Sequence, residues 1–228
     1  MKIAIIPARG GSKRIPKKNV KLFCGKPMIV WSIEAALKSR IFDKIIVTTD
    51  DDEIAKISQE NGAEIPFVRP KNLSNDHVNL SEVVLHATKW LHKKYDNNIS
   101  AICVIHATAP FISEQNLKAS YEIFKKNEYK IVFSATSYPF PIQRAFKINK
   151  DKSVEMFQPK NLKIRSQDLE PAYHDAGQFY WMTCDAIINS IPTFSNQSRA
   201  FLLPRYEVQD IDTKEDWNEA ELIFKKLY

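Results

Sequence analysis

The sequence is poor in cysteine and has no long uninterrupted apolar run. Its cysteines are an odd number without a close pair, which excludes a disulfide framework and a zinc site: Cys24, Cys103 and Cys184. Free cysteines are typical of a reducing compartment, so we expect a cytoplasmic protein. The longest apolar stretch, residues 101–112, is interrupted by His106 and is too short to span a membrane, so we expect no membrane partner.

The composition lacks the biases of fibrous and disordered chains. Hydrophobic residues make up 44% and charged residues 26% of the 228 residues, which are ordinary values for a globular protein. They exclude a disordered tail, a collagen and a coiled-coil rod. The length is near the upper end for one domain, so we expect a single α/β domain over 1–228 with an insertion.

Acidic residues are absent from the first 33 positions, where eight of the chain's 33 basic residues lie. The rest of the chain carries 25 basic and 27 acidic residues, so the net charge of +6 arises from this one segment. Nucleic-acid-binding proteins more often spread their basic residues along a face, whereas a concentrated cluster suits a compact multi-anionic ligand such as a triphosphate. We therefore expect no nucleic-acid partner. A solvated lysine-rich loop is the alternative interpretation.

Apolar runs and helical periodicity alternate along the chain. The pattern predicts strands at 2–7, 44–49, 64–68, 101–106, 131–135 and 178–182, and helices at 27–39, 53–61, 80–95, 114–127, 185–190 and 213–228. This alternation predicts a parallel sheet covered on both faces by helices. Prolines break the pattern over 138–175, which we interpret as an inserted arm with a possible edge strand at 144–148.

The loop after the first strand, residues 7–19, has the composition of a phosphate-binding loop. Two of the chain's five glycines, Gly10 and Gly11, are adjacent here and let main-chain N–H groups approach an anion. Arg9 can hold a phosphate through two parallel hydrogen bonds, while Lys13 and Lys18 add positive charge. The loop lacks the spacing of a Walker A motif and of a dinucleotide-binding fingerprint. A basic turn without a ligand is the alternative.

Two carboxylates, Asp210 and Asp212, lie two residues apart near the end of the chain. In extended backbone such residues share a face, so both can meet one hard cation while Ile211 packs inward. Carboxylate and phosphate oxygens are the ligands that Mg²⁺ prefers. Asp212 is alternatively an N-cap for the last helix. Residues 50–52 form a rival acidic cluster, which helix capping explains at least in part.

At these residues the sequence resembles the CMP-sialic acid synthetases (acylneuraminate cytidylyltransferases). The similarity begins with IPARGGSK at 6–13 and IPKKN at 15–19 and spans almost the whole chain, through segments 49–51, 69–70, 73–76, 108–110 and 210–212. Segment 173–181, YHDAGQFYW, is closer to the pseudaminic acid cytidylyltransferase branch. The sialic branch is expected to have Asn-Gly-Ala in place of residues 175–177 and Gln in place of His106.

The resemblance implies a nucleotide-diphospho-sugar transferase fold, with a three-layer α/β/α arrangement and a mostly parallel sheet. It also implies a homodimer whose arm, residues 138–175, reaches the partner. The implied reaction joins CTP and an acidic nine-carbon sugar, with Mg²⁺ as cofactor, to give the CMP-sugar and pyrophosphate. The pseudaminic branch further implies a role in flagellin glycosylation. Synthetases for CMP-N-acetylneuraminate, CMP-legionaminate or CMP-KDO, and a non-catalytic nucleotide- or nucleic-acid-binding module, are the alternatives.

The resemblance also implies roles for individual residues. The CTP phosphates and ribose are expected to contact Ala8, Arg9, Gly10, Gly11, Ser12, Lys13, Lys18 and Asn19. The cytosine is expected to border Arg69, Ser74, Asn75 and Asp76. The sugar is expected to contact His106, Thr108, Arg144, Arg165, Tyr173 and Gln178. Asp210 and Asp212 are expected to hold Mg²⁺, and Arg9 and Lys13 to neutralise charge on the departing pyrophosphate.

Overall fold

A computed structural model describes residues 1–96 and 98–228. The strands are β1 (Lys2–Pro7), β2 (Leu22–Phe23), β3 (Lys26–Pro27), β4 (Lys44–Thr48), β5 (Ala101–Ile105), β6 (Ile131–Ser137), β7 (Phe146–Ile148), β8 (Val154–Met156), β9 (Tyr173–Met182) and β10 (Ser198–Leu202). The helices are α1 (Met28–Ser39), α2 (Asp52–Glu60), α3 (Leu80–Lys94), α4 (Glu114–Phe124), α5 (Cys184–Ile188) and α6 (Lys214–Leu227). Most of the predicted strands and helices are confirmed, and their ends agree with the predicted ends to within a few residues.

The main sheet has six strands in the order β10-β6-β9-β5-β1-β4. Strand β1 pairs in parallel with β4 and β5, and β10 pairs in parallel with β6. Strand β9 runs antiparallel between β5 and β6. The sheet is therefore mixed but mostly parallel, as expected.

Both faces of the sheet are buried, which explains why β1 is a continuous apolar run. Ile3 and Ile5 pack into a cluster with side chains of α3, whereas Ala4 and Ile6 pack into a second cluster with side chains of α1 and α4. Successive side chains of a strand point to opposite faces, so these two clusters are the two helix layers. The three-layer α/β/α fold is confirmed.

One predicted strand is wrong, and one strand of the main sheet was not predicted. Residues 64–68 do not form a strand: Glu64 alone makes a parallel bridge, to Ile46. Pro66 lacks an N–H group, so the segment cannot continue the ladder beside β4. Strand β10 was not predicted, because its sequence, SRAFL, has only partly buried and exposed residues and no apolar run.

The segment between β6 and β9 carries a separate hairpin. Phe146–Ile148 pairs antiparallel with Val154–Met156, so the predicted edge strand at 144–148 belongs to this hairpin and not to the main sheet. Strand β9 begins at Tyr173, within the 138–175 segment, so the last three residues of that segment lie in the main sheet.

The start of α6 decides between two interpretations of the late aspartates. Thr213 is the N-cap: its hydroxyl accepts the N–H of Asp216 at 3.2 Å, and the Asp216 carboxylate accepts the N–H of Thr213 at 2.6 Å. The alternative in which Asp212 caps the helix is therefore wrong.

In the described part of the chain, no helix combines the length and apolar character that crossing a membrane requires.

Candidate active site

A cleft of about 350 Å³ opens at the carboxyl ends of β1 and β5, where ligands of open α/β sheets bind. Its walls come from the loop after β1, from the residues after β5, and from the segments before α3 and α6. The cleft brings together ten of the predicted site residues: Arg9, Ser12, Lys18, Asn19, Arg69, Asn75, Asp76, His106, Thr108 and Asp212.

The loop after β1 is fixed to the start of α2. The Gly10 N–H donates to the Asp50 carboxylate at 3.3 Å, and Lys17 forms an ion pair with Glu53 at 2.6 Å. The side-chain amide of Asn19 donates to the carbonyl of Arg9 at 2.9 Å, so Asn19 shapes the loop as well as lining the cleft. The acidic cluster after β4 thus has a structural role, and Asp51 caps α2 as expected.

Asp212 lines the cleft beside the cationic loop, whereas Asp210 is exposed and does not line it. The Lys18 ammonium donates to the carbonyl of Ile211 at 2.7 Å and lies 3.4 Å from one carboxylate oxygen of Asp212. Arg14 contacts the other oxygen of Asp212 at 2.8 Å. Ile211 is buried between Asp210 and Asp212, so the two carboxylates flank an anchored residue. The loop at 7–19 and the segment at 210–212, the first and last of the predicted site segments in the sequence, are therefore neighbours in the fold.

Arg69 is a buried cation in the cleft wall. Its guanidinium donates to the carbonyl and the hydroxyl of Thr48, at the end of β4. Burial lowers the pKa of Arg69 to about 10, although the Asp50 carboxylate opposes the shift. At neutral pH the side chain stays charged, so this wall of the cleft favours an anion or an electron-rich group.

Asp76 forms ion pairs with two cationic side chains of the loop after β1. Its carboxylate forms ion pairs with Arg9, at 2.7 Å, and with Lys13. The hydrogen bond and charge of Lys13, together with Arg9, lower the pKa of Asp76. The sequence resemblance placed this residue beside the cytosine. That assignment stays a prediction, and the structure pairs Asp76 with the groups that were predicted to hold phosphate.

His106 follows β5 and lies partly buried between α1 and β9. Its backbone N–H donates to the carbonyl of Gln178 at 2.9 Å, and its carbonyl accepts the hydroxyl of Ser32 at 2.7 Å. Burial lowers the pKa of His106, against the opposing effect of the Asp175 and Asp210 carboxylates. The imidazole is therefore neutral near pH 7. Its Nε2 atom is buried without a hydrogen-bond partner among the described residues.

A second cavity, of about 420 Å³, shares Leu80 with the cleft. Most of its lining is apolar: Val84, Val104, Met182, Ala186, Ile187, Ile191, Pro192 and Phe194. Asp175 and Tyr180 add a carboxylate and a hydroxyl to this lining. Tyr180 was not predicted as a site residue, whereas Asp175 belongs to the departure from the sialic branch that the resemblance placed in the sugar pocket.

Four predicted sugar contacts line neither cavity in the described chain: Arg144, Arg165, Tyr173 and Gln178. Arg144 donates to the carbonyl of Ile164 at 2.5 Å, and Arg165 pairs with Asp168 at 2.7 Å. Gln178 is buried, and its amide donates to the carbonyl of Glu207 at 2.5 Å. Gln178 thus holds the chain that leads to Asp210, and Tyr173 is half-exposed at the start of β9.

Three further residues predicted to contact CTP are not among the described residues that line the cleft: Ala8, Gly11 and Ser74. Ala8 donates its N–H to the carbonyl of Thr48 at 3.0 Å, and the Ser74 hydroxyl donates to the carbonyl of Pro70 at 3.1 Å. Gly11 has open space where a Cβ atom would stand. The assignment of these residues to CTP stays a prediction.

A family profile described as cytidylyltransferase matches residues 3–215. The chain belongs to the cytidylyltransferase family. The "Pseudaminic acid cytidylyltransferase" of Campylobacter jejuni is 46% identical, over 98% of this chain and 96% of the relative. The "CMP-N,N'-diacetyllegionaminic acid synthase" of Legionella pneumophila is 30% identical, again over 98% and 96% of the two chains.

This cytidylyltransferase also shares its fold with solved structures of low sequence identity. A CMP:2-keto-3-deoxy-manno-octonic acid synthetase, solved in complex with CTP, matches 100% of this chain and 99% of that one. The TM-score is 0.71 and the sequence identity 17%, so the likeness concerns the fold alone. It agrees with the mostly parallel sheet described above.

In this cytidylyltransferase, Asp76→Asn is expected to strengthen the binding of inorganic pyrophosphate about twofold to fivefold, because it removes a carboxylate that competes for Arg9 and Lys13 at an exposed ion pair. Titration calorimetry at low salt measures the change. Glu122→Gln, which removes a more exposed, ion-paired carboxylate on α4, is the control. An unchanged affinity for pyrophosphate with weaker CTP binding would instead support a contact between Asp76 and the cytosine.

Proposed function

We propose that this cytidylyltransferase joins CTP and a nonulosonic acid, with pseudaminic acid as the preferred sugar, to give the CMP-sugar and pyrophosphate. The observation that carries the proposal is the 46% identity with a pseudaminic acid cytidylyltransferase over 98% of the chain. The family membership favours an enzyme over the alternative of a non-catalytic binding module. The neighbouring cleft and cavity offer separate places for a nucleotide and a sugar.

The reaction is a direct displacement at phosphorus. The anomeric oxygen of the sugar forms a bond to the α-phosphorus of CTP, and the bond from that phosphorus to the pyrophosphate oxygen breaks. Such transfers depend mainly on positioning and charge stabilisation. Arg9 and Lys13, released from Asp76, neutralise the charge that builds on pyrophosphate. Lys18 and Arg14 hold Asp212 in the lining of the same cleft.

The residues fit a bound Mg²⁺. This ion is usually held by one or two carboxylates and by substrate phosphate oxygens, and Asp210 and Asp212 are two carboxylates on either side of the buried Ile211. When bound, Mg²⁺ supplies positive charge to the phosphate oxygens and acidifies the attacking hydroxyl.

The sugar substrate is a carboxylate, so a basic contact is expected. Arg144 and Arg165 lie on the segment that includes β7 and β8, outside both cavities of their own chain. The same segment exposes apolar side chains: Phe140, Ile148 and Phe157 are 79%, 71% and 65% exposed. We propose that this segment packs against a second copy in a homodimer and brings the arginines towards the partner's sugar.

A cytoplasmic location agrees with the free cysteines.

The function is tested by measuring pyrophosphate release from CTP with a panel of sugar acids. Pseudaminic acid is expected to give the highest kcat/KM, and removal of Mg²⁺ with a chelator is expected to abolish turnover. N-acetylneuraminate, legionaminate and KDO separate the alternative acceptors. Turnover of one of these with none of pseudaminic acid would overturn the choice of sugar, whereas no turnover of any acid would overturn the reaction.

A further inference from the structure

The segment that carries the late aspartates, residues 203–212, connects β10 with α6 and is fixed at both ends. Leu203 is buried, and its N–H and its carbonyl each form a hydrogen bond of 2.8 Å with β6. Ile211 is buried, and its carbonyl accepts the ammonium of Lys18 at 2.7 Å. Asp210 is exposed and makes no hydrogen bond or ion pair with the described residues. Its position therefore depends on how its own backbone is held.

Between the two ends the segment is held at Glu207 by two side-chain amides. Gln178 of β9 donates an N–H to the backbone carbonyl of Glu207 at 2.5 Å, and Asn116 of α4 donates to its carboxylate at 2.9 Å. We call these three residues the Glu207 tether. Glu207 lies three residues before Asp210 and five before Asp212, so the tether holds the backbone that leads to both carboxylates.

Gln178 is itself fixed to the main sheet. Only 3% of the residue is exposed, so its side chain is confined by the packing around it. Its backbone N–H donates to the hydroxyl of Ser134 on β6 at 3.2 Å, and its carbonyl accepts the N–H of His106, the residue after β5, at 2.9 Å. Both neighbours of β9 therefore hold this residue. Through its side chain the sheet fixes a segment that has no strand or α-helix of its own.

The orientation of the Gln178 amide follows from its partner. The Glu207 carbonyl can only accept, so the NH₂ end of the amide must face it. The Oε1 atom at the other end is buried without a hydrogen-bond partner among the described residues, which is unfavourable. An apolar side chain would avoid this cost, so the contribution of the glutamine is the bond that it donates to Glu207. Because Gln178 lines neither the cleft nor the second cavity, its donor reaches the segment and not a substrate.

We propose that Gln178 is a positioning residue for the carboxylates that bind Mg²⁺: through the Glu207 tether it sets the place of Asp210 and Asp212. This inference rests on the proposed function, in which these two aspartates are the Mg²⁺ ligands. Gln178 lies outside both cavities, so it acts only through the segment. This role differs from the sugar contact that the sequence resemblance implies for the residue, and the two roles predict different kinetics.

The kinetic experiment uses Gln178→Met, which keeps a side chain of similar length and removes the donor. The Mg²⁺ concentration for half-maximal turnover is expected to rise about tenfold, as it does when an outer-shell contact of a metal ligand is lost, while the KM for the sugar acid stays at the wild-type value. Pyrophosphate release over a range of Mg²⁺ concentrations, at saturating CTP, measures the change. Asn116→Leu is expected to give a smaller rise, because the Glu207 carboxylate is partly exposed and can bond to water instead.

Hydrogen exchange of the protein without CTP, sugar or Mg²⁺ reports the tether directly. In Gln178→Met the amides of residues 205–210 are expected to exchange about twofold to tenfold faster, the range that one hydrogen bond supports, while β1 and α6 keep their wild-type rates. Asn116→Leu is expected to show the same local change, and it changes a partly exposed side chain, so it provides the test should Gln178→Met fail to fold.

Gln143→Met is the matched control. The Gln143 amide also donates to a backbone carbonyl, that of Glu170, at 2.7 Å, and its Oε1 atom is also buried without a partner among the described residues. This contact lies in the segment between β6 and β9, away from residues 203–212. The Mg²⁺ dependence and the exchange at 205–210 are therefore expected to stay at wild-type values.

Three results would overturn the inference. A higher KM for the sugar acid in Gln178→Met with wild-type Mg²⁺ dependence would make the residue a sugar contact. Wild-type exchange at 205–210 would show that the tether holds nothing, and faster exchange spread over β1 and β5 would show a general loosening of the sheet. Absence of wild-type turnover with every sugar acid would instead overturn the proposed function, and the exchange comparison, which needs no substrate, tells the two failures apart.

Discussion

Asp212→Asn is expected to lower kcat about a hundredfold to a thousandfold while the KM for CTP rises much less. The substitution keeps the shape of the side chain but removes the charge that Lys18 and Arg14 hold beside the cleft. If Asp212 holds Mg²⁺ on the phosphates, its charge acts mainly as negative charge develops in the transition state, and losses of this size follow the removal of one such electrostatic contact. Steady-state pyrophosphate release over a range of Mg²⁺ concentrations measures the effect.

A matched control for this substitution is Glu219→Gln, which removes an exposed carboxylate further along α6 and leaves kcat unchanged. The ion pairs of Asp212 are partly exposed, so the free energy of unfolding should change by about 1 kcal/mol or less. A kcat close to the wild-type value in Asp212→Asn would show that the residue only anchors Lys18 and Arg14. The metal site would then have to lie elsewhere.

Gly10→Ala is expected to raise the KM for CTP about tenfold or more. A Cβ atom on Gly10 would stand 2.6 Å from a carboxylate oxygen of Asp51 and 3.0 Å from its Cβ atom. Asp51 cannot move away cheaply, because its other oxygen accepts the N–H of Ile54 at 2.9 Å as the cap of α2. The loop must therefore shift, and overpacking of this kind costs about 1–3 kcal/mol. A shift also breaks the hydrogen bond from Gly10 to Asp50.

Gly11→Ala provides the control for this substitution, since nothing lies within 4 Å of a Cβ atom at that position. The two variants change the same loop by one methyl group each, at adjacent positions. Titration of CTP in the absence of sugar gives the binding affinity of both. Equal affinities in the two variants would show that the loop moves freely away from Asp51 and that its attachment to α2 does not shape the nucleotide site.

The sequence predicted those parts of the fold that have a local pattern. Strand β1 is a continuous apolar run because both of its faces are buried, and α6 shows a helical period, although its N-cap is Thr213 and not Asp212. Strand β10 has no such pattern, since it is an edge strand that pairs only with β6. Residues 64–68 were predicted as a strand because apolar residues surround Pro66. The pairing with β4 nevertheless stops after Glu64, since Pro66 has no N–H group to donate.

The site was predictable to a similar degree. The basic loop with its two glycines and the pair Asp210 and Asp212 are each visible as short motifs, because phosphate and metal chemistry need particular side chains at close spacing. Asp175 and Tyr180 were missed as a pair. Their contact depends on a bulge in β9, and a bulge depends on the pairing partner rather than on the bulged strand alone.

By itself, the amino-acid sequence determined the layered α/β architecture, the cationic loop after β1 and the two late carboxylates, because periodicity, glycine and charge act within a few residues of one another. Only the tertiary structure decided which of these groups meet. It brought Lys18 to Ile211 and Asp212 across nearly the whole chain, placed Asp76 on the cations of the loop, and turned Asp175 towards the second cavity. These contacts arise from strand order and register in the sheet, which depend on long-range pairing that a single sequence pattern does not encode.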